Sequence, residues 1–190
     1  MGKTPSREEA LALLKRYNDS EALVKHGMAV ESVMRHYAQK YGEDVEKWGV
    51  VGLLHDLDYE KYPEQHCIKV QEILKDEGID PEIIRAVASH GYGICCDIKP
   101  ESLMEKTLYT VDELTGLVNA AVLMRPDKSV MTLEVKSLKK KFKSKGFAAG
   151  VDREVVKRGC EMLGLELNDV MEDTILGMRS AAQELGLAGE

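Results

Sequence analysis

Apolar residues recur at three- and four-residue steps along nearly the whole chain, the spacing that lines up one face of an α-helix. Ser6 followed by Glu9 has the form of a capping box, and Leu11, Leu13 and Leu14 behind it predict a short helix ending near Asn18. From Ser20 to about Tyr41, the positions Leu23, His26, Val30, Val33 and Tyr37 share one side of a longer helix that Gly42 stops. Asp44 suits the cap of a third, carrying Val45, Trp48, Val51 and Leu54 up to His55-Asp56. Pro63 fits the first turn of a helix through Ile68, Val70, Ile73 and Leu74 to Gly78. Asp80-Pro81 opens another, with Ile83, Ile84 and Val87 leading to His90 and Gly91 and Gly93 ending it. A strongly apolar helix from near Leu103 to Met124 precedes Pro126, and helices around Glu134 to Lys143, Asp152 to Leu163 and Asn168 to Leu185 complete the pattern. Strand-like alternation is scarce, so the expected fold is an all-α, single-domain helical bundle.

No repeat, low-complexity tract or long linker divides the chain. One domain over 1–190 is expected, with a core at about 20–125 and further helices over 132–186. Arg125 to Met131 and Gly146 to Gly150 read as surface loops. The stripe Leu167, Val170, Met171, Leu176 and Met178 reads as internal packing.

With 190 residues the chain is long enough to bury a core without disulfides. The four cysteines, Cys67, Cys95, Cys96 and Cys160, form no CxxC pair and read as structural thiols in a reducing compartment. Met1 to Arg7 leads into an acidic, apolar helical pattern without an h-region, and no run reaches the roughly 20 apolar residues of a membrane span. A cytoplasmic protein with no membrane partner is expected. A net charge of −7 argues against a stable nucleic-acid complex. One basic segment interrupts that acidity, Lys136, Lys139, Lys140, Lys141, Lys143 and Lys145. It suits either an anionic ligand or the wet face of a helix whose other side carries Leu133, Leu138 and Phe142.

The apolar run Val50-Val51-Gly52-Leu53-Leu54 closes on His55-Asp56, an imidazole and a carboxylate where the pattern calls for core. An unpaired buried charge there costs several kcal/mol, so Asp56 needs a cation, a hydrogen-bond network or a metal. Asp112, flanked by Val111 and Leu114, poses the same problem. His26, His66 and His90 each fall on the apolar side of their helix, so five helices present polar groups to one interior. His36 is turned off that side and reads as a surface residue. Imidazoles with two carboxylates suit one or two first-row divalent ions, Mn, Fe, Co, Ni or Zn, or else Mg. Such ions acidify bound water and take up charge on a phosphoryl oxygen, which points to hydrolysis of a phosphate ester or anhydride.

His26, the adjacent His55-Asp56, and Asp112, in that order on helical sequence, resemble the H…HD…D pattern of the HD-domain metal-dependent phosphohydrolases. The resemblance covers roughly Ala22 to Val122. It implies an all-α fold with these four residues as ligands of one ion. Two-metal relatives add histidines between the HD pair and the last aspartate; His66 and His90 match, and Asp56 would then bridge. One subgroup reads His-Asp-Ile-Gly-Lys where this chain has His55-Asp56-Leu57-Asp58-Tyr59, which leaves the lysine's phosphate contact unassigned. Lys61, Lys145, or Lys140 and Lys141 are the candidates to meet an anion. Asp58 and Glu60 read as a solvated acidic turn. Gly146 to Arg153 lacks P-loop spacing and reads as a loop with Asp152 as N-cap and Phe147 against the core.

The expected function is a hydrolase of a small phosphorylated molecule, a nucleotide foremost, with Asp56 as its catalytic residue. The alternatives are a nucleotide-binding regulatory module without turnover and a two-iron oxygenase on the same ligands.

Overall fold

The computed structural model describes residues 2–189, of which no segment forms a strand; 64% of the chain is helical. The helices are α1 Arg7–Tyr17, α2 Glu21–Tyr41, α3 Val45–Leu54, α4 Lys69–Asp76, α5 Pro81–Ser89, α6 Leu103–Leu123, α7 Val135–Lys143, α8 Arg153–Leu163, α9 Leu167–Ser180 and α10 Ala182–Leu185. A single 3-10 turn spans Pro63–Gln65. The all-α expectation holds, and most ends lie where the capping residues put them. Ser6 and Glu9 form the full capping box, Asp44 accepts from the Lys47 N–H, and Gly42 stops α2 with a left-handed φ of 72°. A second capping box, Ser102 with Glu105, starts α6.

Two helices are broken where the apolar spacing runs on. The expected helix from Pro63 to Gly78 splits into the 3-10 turn and α4, because Cys67 takes a left-handed φ of 68°. The last expected helix divides at Ala181 into α9 and α10. Hydrophobic periodicity gives no warning at Ala181, where Met178 and Ala182 on either side are both buried, whereas at Cys67 the turn before the break buries nothing and Ile68 after it, expected on the apolar side, is exposed.

The two longest helices, α2 and α6, form the middle of the molecule. α2 packs on α3, α6 and α9, and α8 covers the other side of α6. Val30, Val33 and Met34 of α2 interlock with Leu53 and Leu54 of α3 and with Leu108, Val111, Leu114 and Val118 of α6, all fully buried. Each such side chain contributes roughly 1.5–3 kcal/mol of apolar burial. From α9, Val170, Met171 and Met178 join this core, whereas Leu176 points outward. The core continues without interruption from Ala10 to Leu187.

α2 and α3 approach closely enough to leave no room for a side chain at Gly52. A Cβ there would lie 2.9 Å from the Glu31 backbone N and Cα. Gly52→Ala is therefore expected to destabilise the fold by about 1–3 kcal/mol, or more where the backbones must part. Urea unfolding gives the value, and a variant as stable as the parent would contradict this packing.

Candidate metal centre

Helix ends, more than helix faces, build the centre. Only His26 and Asp112 project from within helices, α2 and α6. His55 and His90 are the C-cap residues of α3 and α5, His66 follows the 3-10 turn, and Asp56 lies in the turn after α3. Both C-cap histidines use one local device. The Nδ1–H of His55 donates to the Gly52 carbonyl at 2.7 Å, and that of His90 to the Val87 carbonyl at 2.5 Å, each satisfying a terminal helix carbonyl. His66 Nδ1–H donates to the Asp58 carboxylate at 2.6 Å. Carbonyls and carboxylates only accept, so in all three rings the proton sits on Nδ1, and Nε2 is the atom presented to the centre.

The six residues singled out by sequence come together. His26 Nε2 lies 2.9 Å and His55 Nε2 3.1 Å from Asp112 Oδ1. Asp56 Oδ2 faces the same two histidines, at 3.6 and 3.2 Å. Its other oxygen, Oδ1, faces His66 Nε2 at 3.3 Å and His90 Nε2 at 3.2 Å. Asp56 thus stands between two sets of imidazoles and offers one oxygen to each.

The donor set fits divalent cations. His26, His55, Asp56 and Asp112 place ligand atoms within 4.8 Å of one another. His66 and His90 bring their Nε2 atoms to 3.1 Å, and two lone pairs that close repel unless a proton or a cation sits with them. The fold treats another buried carboxylate quite differently. Glu31 accepts from the guanidinium groups of Arg7 and Arg35, at 2.7 and 2.9 Å, while among the described residues no Lys or Arg pairs with Asp56 or Asp112.

Without a metal, His55 and His66 supply the compensating charge. Burial pushes the His55 imidazole down, but Asp56 and Asp112 outweigh it and hold it well above its ordinary value. Burial likewise raises Asp56 and Asp112, and the His55 charge with the surrounding imidazole hydrogen bonds drives both well below the usual carboxylate range.

A cavity of about 350 Å³ opens onto the centre, lined by His26, Asp56, His66, His90 and Asp112 with Leu23, Tyr59, Ile94, Cys95, Glu113 and Val151 among its walls. Lys140 and Lys141 are not among its lining residues, and no Lys or Arg of the described residues is. Lys140 is exposed on α7, whose Leu138 and Phe142 are buried, and Lys141 stacks on the Phe147 ring. Lys61 is tied to the Arg16 carbonyl. The 146–150 segment is held by Arg153, which donates to the carbonyls of Phe142, Ser144, Phe147, Ala148 and Val151, and Asp152 caps α8.

Three polar residues take places that sequence spacing does not give. Asp58 is fully buried, not solvated: one oxygen orients His66, and the other accepts from the Val70 N–H, capping α4 in place of Ile68, which makes no side-chain cap. Helical periodicity carries no signal for it, because both contacts bridge a non-helical turn. Glu113, next to Asp112, reaches the cavity and accepts from the Asp152 N–H; burial and the Asp112 charge push it up to about 7. His36 is not a free surface residue, since it joins Lys40 on a buried Asp173 and ties α2 to α9.

Because Asp58 fixes the His66 ring, Asp58→Asn is expected to weaken divalent-cation affinity by about 10- to 100-fold, the usual effect of losing a ligand's hydrogen-bond partner. Calorimetric titration with manganese or cobalt reads this directly. Unchanged affinity would remove Asp58 from the centre.

Comparison with known proteins agrees with this geometry. The model of the HD domain family matches residues 23–117, half of the chain, and spans His26 through Asp112. A tRNA (cytidine(56)-2'-O)-methyltransferase of Picrophilus torridus is 29% identical over 126 residues, covering 60% of this chain and 37% of that protein. The chain thus corresponds to well under half the length of that relative. No solved structure matches. With the matched segment carrying every aspartate and histidine of the centre, the chain belongs to the HD domain family.

Proposed function

We propose that the protein is a metal-dependent phosphohydrolase acting on a small phosphorylated molecule, a nucleotide foremost. The observation that carries this reading is Asp56, one carboxylate with an oxygen turned to each of two imidazole sets. In the proposal His26, His55, Asp56 and Asp112 hold one divalent ion, and His66, His90 and Asp56 hold a second. Cations bound there supply acidified water and neutralise charge on a phosphoryl oxygen.

The chain's own part is to fix the donors and admit the substrate. Hydrogen bonds at Nδ1 orient three of the imidazoles before anything binds, so little freedom is lost when a ligand arrives. With no Lys or Arg on the lining, a phosphate there would meet positive charge only from the imidazoles or from a bound cation, and only the cation would also supply acidified water. This is why the hydrolase reading and the metal reading stand together. For substrate contact the proposal relies on the cavity wall rather than on Lys140 and Lys141. A second cavity of about 480 Å³ shares His26 and is lined by Lys25, Asn119 and Thr115 beside Ala22, Leu123 and Leu187. Its mixed polar and apolar wall suits the organic part of a nucleotide. The methyl transfer named for the relative belongs to that protein. No stable nucleic-acid complex is proposed for this chain, and no helix among its described residues is long and apolar enough to cross a membrane.

Phosphate release over a panel of nucleotides with added manganese, cobalt or iron tests the reading. Turnover of at least one is expected. Tight nucleotide binding without turnover under every metal would overturn it in favour of a regulatory module, and metal-dependent oxygen consumption in favour of an oxygenase.

A further inference from the structure

Two sulfurs meet beside the centre, and one of them, Cys67, lies close enough to His66 and His90 to share a cation with them. Cys67 Sγ and Cys95 Sγ are 3.0 Å apart, about 1 Å more than a disulfide bond of about 2.05 Å. Their neighbours are arranged to allow the approach. Cys67 is fully buried and holds the left-handed φ that breaks the helix after His66. Opposite it, Gly91 leaves the space both sulfurs occupy: a Cβ there would lie 2.3 Å from Cys95 Sγ and 2.4 Å from Cys67 Sγ. The Gly91 carbonyl accepts the N–H groups of Ile94, Cys95 and Cys96, which pins the loop carrying Cys95. Of the other thiols, Cys96 donates to the Ala88 carbonyl, though it too comes near Cys67, and Cys160 lies in α8.

We propose that Cys67 and Cys95 form an oxidisable thiol pair, closed into a disulfide by a small disulfide of the glutathione class that enters through the cavity. Cys95 lines that cavity and is half-buried, whereas Cys67 lies behind it, so the order of events follows from access. The Cys95 thiolate attacks one sulfur of the incoming disulfide, forming a mixed disulfide and releasing one thiol. The Cys67 thiolate then attacks Cys95 Sγ, forming the internal bond and expelling the second thiol. Two protein thiols lose two protons and two electrons, and the small disulfide becomes two thiols. The bond would link the residue after His66 to the loop after His90, two positions 28 residues apart. This goes beyond the hydrolase proposal and does not depend on it.

The test uses the full reduced chain, treated with oxidised glutathione near neutral pH and mapped by mass spectrometry without reduction. The expected product has lost two thiols and carries a Cys67–Cys95 cross-linked peptide, with Cys96 and Cys160 free. Cys67→Ser should retain one glutathione on Cys95, Cys95→Ser should leave Cys67 unmodified, and Cys96→Ser should cross-link as the parent does. Circular dichroism confirms that each variant is folded. A parent that keeps all four thiols, stops at the glutathione adduct, or joins Cys95 to Cys96 would overturn the proposal. So would thiols that resist oxidation and give sulfur-to-cobalt absorption on cobalt loading, which would mark them as ligands.

Discussion

Asp56→Ala is expected to lose metal and turnover together. Removing this one carboxylate takes an oxygen from each imidazole set at once, since Oδ2 faces His26 and His55 and Oδ1 faces His66 and His90. Stabilisation of phosphoryl charge by bound cations is worth several kcal/mol, and each 1.4 kcal/mol is tenfold in rate, so the loss should reach about a thousandfold or more. Because an Ala also leaves the histidines without their counter-charge, Asp56→Asn serves as the companion variant of the same shape. Elemental analysis and phosphate release on both variants check the prediction. A folded Asp56→Asn protein with full metal and full activity would contradict it.

Chelation should be the second large effect, and its dependence on pH has a definite sign. An ion present at a thousand times its Kd stabilises the native state by about 4 kcal/mol, so stripping it lowers Tm by roughly 10 °C in a chain of this size. In the stripped protein, burial pushes the His66 imidazole down, but its hydrogen bonds to Asp56 and Asp58 prevail and hold it at about 10. A folded pKa raised above the unfolded value, about 6.5, gives stability that is full below that value and is lost as pH rises through the folded one. The chelated protein should therefore lose stability steadily from about pH 7 to about pH 10. The metal-loaded protein should not, because imidazoles bind metal in their neutral form. Urea titrations of both forms across this range make the comparison, and parallel pH profiles would sink it.

Much of this arrangement is legible in the amino-acid pattern. Capping residues and apolar spacing place α1, α2, α3, α5, α6, α7 and α8 closely, because those elements follow local rules. His26, His55, Asp56, His90 and Asp112 also stand out, since each falls on or beside an apolar stretch where a charge or an imidazole is costly, whereas His66 reaches the centre from a polar turn and not from the helix face expected for it. What escapes is nonlocal. Asp58 caps α4 and orients His66 from across a turn, Cys67 bends the chain by a left-handed φ, and Glu113 reaches the cavity from beside Asp112. Nothing in a one-dimensional spacing marks those three, for each depends on where a neighbouring segment returns. The basic run of α7 shows the converse: a pattern suited to an anion coats a helix whose buried side is Leu138 and Phe142. The histidines differ as well from a picture of helix faces converging, because His55 and His90 act from helix ends, where an imidazole both satisfies a terminal carbonyl and presents Nε2.

The most direct measurement is anomalous diffraction from crystals of the manganese-loaded protein. Two manganese peaks are expected, one on each side of the Asp56 carboxylate, the first among His26, His55 and Asp112 and the second at His66 and His90. Manganese absent from both places, or bound only at sites away from Asp56, would contradict the account.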